Sequence, residues 1–104
     1  MQIIMAVDAV SDLGAAARAG VVKEILIAPK VISLTGKISL SEAAALAREC
    51  AEMGLTPVLE WNILMTENVF ERVVGALREL DWSLFQAVRV QDPGALAWVL
   101  KHTP

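Results

Sequence analysis

Polar side chains that can do chemistry stand out in two short apolar runs of this chain. Glu60 and Asn62 lie in the run PVLEWNI, and Arg89 and Gln91 lie in the run AVRVQ. A carboxylate can act as a general acid or base, and a guanidinium can orient it or hold an anionic group of a substrate. We therefore expect Glu60 and Arg89 to be catalytic and the two amides to bind substrate through oriented hydrogen bonds.

Strand alternation assigns these polar groups to one side of a sheet. Successive side chains of a strand point to opposite faces, so the polar residues of each run share one face and the apolar residues share the other. The apolar face is expected to meet helices, which leaves the polar side chains pointing inward. The same alternation applies where the first two strand-like runs end. The expected substrate-binding set is Asp8, Lys30, Asn62 and Gln91, with Asp92 following at the rim.

The charged residues of this set also have a structural interpretation. Glu60 with Arg89, and Asp8 with Lys30, would lie on neighbouring strands and can neutralise each other as ion pairs. Asp92 has a role that needs no ligand, because aspartate is a preferred residue at the start of a helix. Both interpretations, a ligand site and an ion-pair layer, are open at this point.

The elements that must position these residues form four strand–helix units. Apolar runs of strand length, rich in Val, Ile and Leu, occupy residues 2–7, 24–28, 57–63 and 87–91. Helical patterns lie between and after them. Strands that alternate with helices form a parallel sheet through right-handed crossovers. The longest predicted loop, residues 31–38, follows the second strand.

The first two helices carry start and stop signals. Ser11 is expected to cap the first helix, and Gly20 stands just past its end. Ser39 and Glu42 have the spacing of a capping box, in which each side chain satisfies a free backbone N–H of the other residue. The second helix is then expected to run to about residue 53, with Gly54 as its left-handed stop.

The last two helices have signals of the same kind. Thr66 is expected to cap the third helix, with Met65 and Phe70 spaced for a hydrophobic staple across the cap. Asp92 is expected to cap the fourth helix. Pro93 would take the first helical position, where its missing N–H costs nothing.

Two parallel architectures fit this order of elements. A doubly wound fold usually has a glycine-rich first turn that binds phosphate, and residues 8–11, DAVS, contain no glycine. Four units are also half of a (β/α)8 barrel, whose usual length is about 250 residues. We therefore predict an α/β fold in which residues 1–104 form a single domain, four βα units with a parallel sheet, as half of a TIM-type barrel.

Composition excludes several classes of protein. The net charge is −3 and no basic stripe is present, so nothing indicates nucleic-acid binding. Hydrophobic residues make up 56%, yet no apolar run approaches the roughly 20 residues of a membrane span, so the excess indicates burial on more than one side or a surface for a partner. The N-terminal residues lack the features of a signal peptide, so we expect a cytoplasmic protein.

Metal binding and cysteine chemistry are not expected. Cys50, the single cysteine, falls on the apolar stripe of the second helix and should be packed and inert. His102 has no carboxylate or thiol nearby in sequence, so no metal site is predicted. The tryptophans at 61, 82 and 98 are not interleaved with basic residues and are expected to pack helices on the sheet.

Four motifs, in order, resemble a known family. Residues 13–20, LGAAARAG, match an alanine-rich "L…A…AG" helix, and residues 39–54 match a helix of the pattern "sl.ea..la..c...G". Residues 58–64 match a third strand ending in Asn, and residues 90–94, VQDPG, match a "v.DpG" signature. In order and spacing the chain resembles the N-terminal part of the peptidase U32 family, the collagenase-like proteases.

This resemblance implies a TIM-type barrel and, in the first instance, a U32-like peptidase. The chain would be the N-terminal half-barrel, contributing part of an active-site mouth at the strand ends. A non-catalytic binding module or self-assembling half-barrel is one alternative. Another is part of an iron–sulfur-dependent hydroxylase, since some members resemble iron–sulfur proteins that support hydroxylation of RNA bases or of the ubiquinone ring.

The resemblance and the fold also imply cofactor and partner expectations. The cluster cysteines of the iron–sulfur type lie beyond the matched region, so this chain alone is expected to hold no cofactor. A half-barrel leaves its first and fourth strands as unpaired edges, which is physically costly. We therefore expect it to associate with itself or with a second half-barrel segment. The substrate is not identified by any motif.

Overall fold

A computed structural model describes residues 3–34, 36–63 and 67–103, without the side chains of 67–69. Four strands alternate with four α-helices, and two short 3₁₀ turns, Val10–Asp12 and Trp82–Leu84, lie between them. The strands are β1 (Ile3–Ala6), β2 (Val22–Ile27), β3 (Thr56–Trp61) and β4 (Ala87–Val90). The helices are α1 (Leu13–Ala19), α2 (Leu40–Glu52), α3 (Glu67–Leu77) and α4 (Pro93–His102). None of the described helices has the length and apolar character needed to span a bilayer.

The four strands form one sheet in the order β1-β2-β3-β4, and every neighbouring pair is parallel. This confirms the predicted α/β fold with four βα units. Each strand lies beside the next one in sequence, so right-handed crossovers carry all the connecting helices to the same face of the sheet. The arrangement is compatible with half of a (β/α)8 barrel, in which consecutive units also lie side by side.

The hydrophobic core lies on one face of this sheet and confirms the predicted alternation. The helices pack there against alternate strand residues. The residues in or against this core are Val7, directly after β1, and the strand residues Met5, Val22, Ile25, Ile27, Leu59, Trp61, Val88 and Val90. The other side, here called the open face, consists of Ile4, Ala6, Glu24, Leu26, Val58, Glu60, Ala87 and Arg89, and none of these joins the core.

The open face is exposed at its edges and buried at its centre. On the edge strand β1, Ile4 is 56% exposed, whereas Val58 and Glu60 on the inner strand β3 are 8% and 4% exposed. The inner strand β3 has a neighbouring strand on each side, whereas the edge strand β1 has one on a single side, and the gradient in exposure follows from these positions.

Strand β2 begins earlier than residue 24, where it was predicted, because of an irregularity in its pairing. Val22 lies opposite Ile3, but Glu24 lies opposite Ile4, so Lys23 is an extra residue in β2. Such a bulge reverses the alternation of a strand locally. It turns Val22 toward the core, and the alternating pattern of the sequence is broken at that point.

The start of the first helix was predicted wrongly, since Ser11 does not cap it. The chain enters through the 3₁₀ turn Val10–Asp12, and α1 then begins at Leu13 without a side-chain cap. In the turn, the N–H of Asp12 donates to the carbonyl of Ala9 at 3.1 Å. The N–H of Leu13, a donor that a serine cap at position 11 would serve, donates to the carbonyl of Val10.

The other described helix signals are confirmed. Gly20 and Gly54 have φ of 73° and 71°, the left-handed conformation that favours glycine. The capping box of α2 is complete: the Glu42 N–H donates to Ser39 Oγ, and the Ser39 N–H donates to Glu42 Oε1, both at 3.1 Å. The predicted cap Thr66 and the staple residue Met65 lie outside the described residues.

The capping box also affects the titration of Glu42. Hydrogen bonds from the Ser39 backbone and side chain lower the pKa of this carboxyl below 4.5. A lowered pKa in the folded state means that the ionised form stabilises the fold. The contribution is fully present above pH 4.5 and is lost as the pH falls through the lowered value.

Replacing the α2 cap, Ser39→Ala, is expected to lower the free energy of unfolding by about 1 kcal/mol. The substitution removes the oxygen that accepts the Glu42 N–H. Ser11→Ala is the matched control, because Ser11 is exposed and caps nothing, and its effect should stay within about 0.5 kcal/mol. Urea denaturation of both variants measures the difference. An equal loss in the two would contradict this assignment of caps.

Candidate active site at the carboxyl ends of the strands

The charged centre of the open face lies where β3 and β4 end. Glu60 and Arg89 are directly aligned in the sheet, and Arg89 Nη1 lies 3.7 Å from Glu60 Oε2. They form the single ion pair within the described residues. The structure therefore brings together the two side chains predicted to be catalytic, at the end of the sheet where α/β proteins place their ligands.

The two partners of this ion pair differ strongly in exposure. The Glu60 side chain is 5% exposed and that of Arg89 is 57% exposed. Their separation of 3.7 Å is longer than a hydrogen bond. The carboxylate is thus held in the sheet wall, while the guanidinium reaches solvent and keeps donors for an anionic group of a ligand.

Asn62 fixes the loop that crosses the end of the sheet. Its Oδ1 accepts a hydrogen bond from the N–H of Leu34 at 2.9 Å, and its own N–H donates to the carbonyl of Ile32 at 3.0 Å. The amide predicted to bind substrate therefore binds the 31–34 backbone. Asn62 positions one wall of the mouth.

The expected ion pair of Asp8 with Lys30 is not formed, and Asp8 instead shares a depression at the β1–β2 end with Lys37. Asp8 and Lys37 line a depression of about 140 Å³ that also includes Gly36. The reason is the path of the loop: Lys30 donates its N–H to the carbonyl of Ile38, which returns residues 36–37 to the strand end. The side chain of Lys30 is exposed and does not line this depression.

Lys37 was missed as a candidate because it lies far along the loop from any strand. Lys37 falls in the predicted loop 31–38, and the sequence gave no information about where that loop would fold back. Only the Pro29–Ile38 bridge, a long-range pairing, brings the ammonium-bearing residue to the mouth. Lys37, rather than Lys30, lines the depression that contains Asp8.

The two remaining candidates, Gln91 and Asp92, lie directly after the carboxyl end of β4. Gln91 follows β4 and is exposed. Asp92 caps α4, since its Oδ2 accepts the N–H of Ala95 at 3.0 Å, and Pro93 stands at the start of the helix as predicted. The Asp92 carboxylate is used by the helix, so its structural role is confirmed.

The tryptophans and Cys50 belong to the core, as predicted. Trp98 packs against Trp61 with ring centroids 6.0 Å apart and against Trp82 at 5.7 Å. Cys50 is fully buried, and desolvation raises the pKa of its thiol to about 11. A thiol with such a pKa is neutral at physiological pH, so Cys50 is not a nucleophile.

The residues of this chain do not fit an iron–sulfur cluster. Such clusters are held by several cysteine thiolates. This chain has one cysteine, Cys50 on the buried side of α2, with a raised pKa, and the described residues contain no group of three side chains placed to ligate a metal ion.

Comparison of the chain with protein-family models, with curated proteins and with solved structures finds no match. The fold assignment accordingly rests on the sheet topology. Any assignment of activity rests on the geometry of the strand ends and on the motif resemblance described above.

Proposed function

We propose that this chain is half of a TIM-type barrel and that its strand ends form half of a substrate-binding mouth of a U32-like peptidase. The strand order and the single helix-covered face support the half-barrel. The observation that carries the active site is the ion pair of Glu60 and Arg89 at the carboxyl end of the open face. A peptide offers both a group for the guanidinium to bind and a bond to hydrolyse.

Glu60 is the proposed general base of the peptidase. Its carboxylate accepts a proton from a water molecule while the water oxygen attacks the scissile carbonyl carbon. The proton then passes to the leaving nitrogen as the C–N bond breaks, which gives a carboxylic acid and an amine and leaves Glu60 ionised. The low exposure of Glu60 limits competing hydration of the carboxylate.

Arg89 is the proposed anion-binding residue. Its exposed guanidinium can accept a substrate carboxylate or the oxyanion that forms on the attacked carbonyl, in both cases through charge-assisted hydrogen bonds. The sheet alignment keeps this guanidinium beside the base. Lys37 and Asp8, at the other end of the mouth, would contact groups farther along the peptide.

Glu60→Gln is expected to lower kcat/KM by about a hundredfold, since general-base catalysis contributes roughly that much. The substitution keeps the shape of the side chain but removes the proton acceptor. Fluorescein-labelled gelatin serves as the peptide probe, and circular dichroism shows whether the variant is folded. Glu24→Gln is the matched control, because Glu24 is also on the open face but near the amino end of the sheet.

Two results would overturn the peptidase proposal. One is a wild-type protein, purified in its associated state, that does not cleave the labelled gelatin. The other is a Glu60→Gln variant that loses stability while its activity per folded molecule equals that of Glu24→Gln. In the second case the ion pair of Glu60 and Arg89 is structural.

A non-catalytic, self-assembling half-barrel is the second candidate. Two predicted binding residues, Asn62 and Asp92, are used for loop anchoring and helix capping, which leaves fewer groups for a substrate. The unpaired edges of β1 and β4 favour assembly whether or not catalysis takes place.

A further inference from the structure

Exposed apolar side chains gather at the two edges of the sheet. Of the eight large hydrophobic side chains that are exposed among the described residues, five belong to the edge units of the fold. On the β1 side these are Ile3, Ile4 and Val10, and on α4 they are Leu96 and Leu100. Scattered exposed hydrophobic residues are ordinary, but a concentration at two free edges indicates surfaces that a partner covers.

The exposed apolar residue Leu100 of α4 lies on the side of the helix away from α3. The groove between α3 and α4 is lined on the α4 side by Trp98, Lys101 and His102. Leu100, which is 74% exposed, instead lies with Ala87 and Val88 in a depression along β4. In a closed barrel this is where the helix of the next unit packs.

The total surface of the chain is larger than that of a compact monomer. The accessible area is 6197 Å², whereas a compact protein of 11.2 kDa is expected to expose about 5,700 Å². Two copies together expose an excess on the order of 1,000 Å², close to the lower end of the area that stable interfaces bury. A partner that covers both edges would remove this excess.

The register of the sheet allows a second copy of the chain to complete an eight-stranded barrel. Across the sheet Ala6 is aligned with Leu26, then with Val58 and Ala87. An eight-stranded TIM barrel has a shear of about 8, so the alignment shifts by about four residues over half of the circuit. If β4 of one copy is shifted by four residues toward the amino end of β1 of the other, Val88 lies opposite Ile3. The edge strands β4 and β1, each four residues long, then overlap.

The opposite shift would fail, which makes the closure specific. It would place β4 against residues 10–13, which form the 3₁₀ turn and the start of α1. Side chains alternate between the two faces of a strand, so a shift of four residues, an even number, keeps core-facing residues next to core-facing residues and open-face residues next to open-face residues. Arg89 then lies beside Ile4 of the second copy on the open face, where its aliphatic stem covers the exposed Ile4 side chain.

We propose that a second copy of this chain closes the half-barrel into a two-fold symmetric, eight-stranded dimer, with β4 of each copy parallel to β1 of the other. The inference rests on the half-barrel part of the proposed function and not on its catalytic part. The closed mouth contains two ion pairs of Glu60 and Arg89, one from each copy, and both open faces become the barrel interior.

Sedimentation equilibrium of the complete chain tests the dimer. The wild type is expected to be a dimer at micromolar concentration, and Ile4→Lys is expected to weaken association at least tenfold, because it buries a charge against the neighbouring strand. Met53→Lys is the control: Met53 is also an exposed apolar residue, but it ends α2, away from both edges. A monomeric wild type, an open series of larger polymers, or equal weakening by both substitutions would overturn the proposal.

Disulfide crosslinking tests the register. Ile3→Cys combined with Val88→Cys is expected to form an intermolecular disulfide, since aligned residues of neighbouring strands lie within the range that a disulfide bridges. Ile3→Cys with Val90→Cys is the matched control, displaced by about 6.6 Å along the strand. Equal crosslinking of the two pairs would reject the register. A correct dimer without cleavage of gelatin would reject only the peptidase.

Discussion

Trp98→Ala is expected to lower the free energy of unfolding by about 3–5 kcal/mol, the range for truncating a buried aromatic residue. Trp98 is 6% exposed and joins three parts of the fold. Its ring meets Trp61 of β3 edge-on, lies against Trp82 of the second 3₁₀ turn, and stacks on His102 with centroids 4.6 Å apart. Removing it separates α4 from the sheet.

The control for this substitution lies on the same helix. Lys101→Ala removes an exposed side chain in the last turn of α4, so its effect is expected to stay within about 0.5 kcal/mol. Both variants are unfolded in urea at the same protein concentration, because the stability of an associating protein depends on concentration. A loss from Trp98→Ala no greater than that from Lys101→Ala would show that α4 is not held by the aromatic cluster.

The parts of the fold that follow local rules were predictable from the sequence. Alternation in the run PVLEWNI placed Glu60 on one face and Trp61 on the other, and the sheet has them so. Gly20, the capping box of α2 and Asp92 act within a few residues of their own position. Each depends on backbone geometry that the residue type itself imposes.

The parts that were missed depend on distant segments. The bulge at Lys23 arises from pairing with β1, and no residue of β2 marks it. The use of Asn62 as a loop anchor depends on Leu34, which is 28 positions earlier in the chain. Lys37 reaches the mouth through the bridge of Pro29 with Ile38. Sequence periodicity carries no information about such long-range contacts.

The alignment of Glu60 with Arg89 lies between these two cases. Parity predicted that both side chains share a face, but not that they occupy the same row of the sheet. The offset between β3 and β4 sets the row, and the alternation within either strand does not reveal that offset. This is why the sequence offered the pairing of Glu60 with Arg89 as one of two interpretations but did not fix the row in which they meet.

Gly36→Ala is expected to lower the free energy of unfolding by about 3 kcal/mol, at the upper end of the range for overpacking. A Cβ on Gly36 would overlap the carbonyl oxygen of Ala28 and lie 2.7 Å from the carbonyl carbon of Pro29. Both are backbone atoms of the segment after β2, and they cannot turn away as the end of a flexible side chain can. The loop would have to leave the strand end.

Gly75→Ala is the matched control, and it is expected to raise the free energy of unfolding rather than lower it. A Cβ on Gly75 meets no atom within 4 Å, and the residue is exposed inside α3, so alanine is expected to stabilise the protein by about 0.5–1 kcal/mol. Urea denaturation measures both variants, and NMR chemical shifts of Asp8 and Lys37 report on the mouth. If Gly36→Ala changes neither stability nor those shifts, the loop does not lie against the end of β2. Lys37 would then no longer line the depression that contains Asp8.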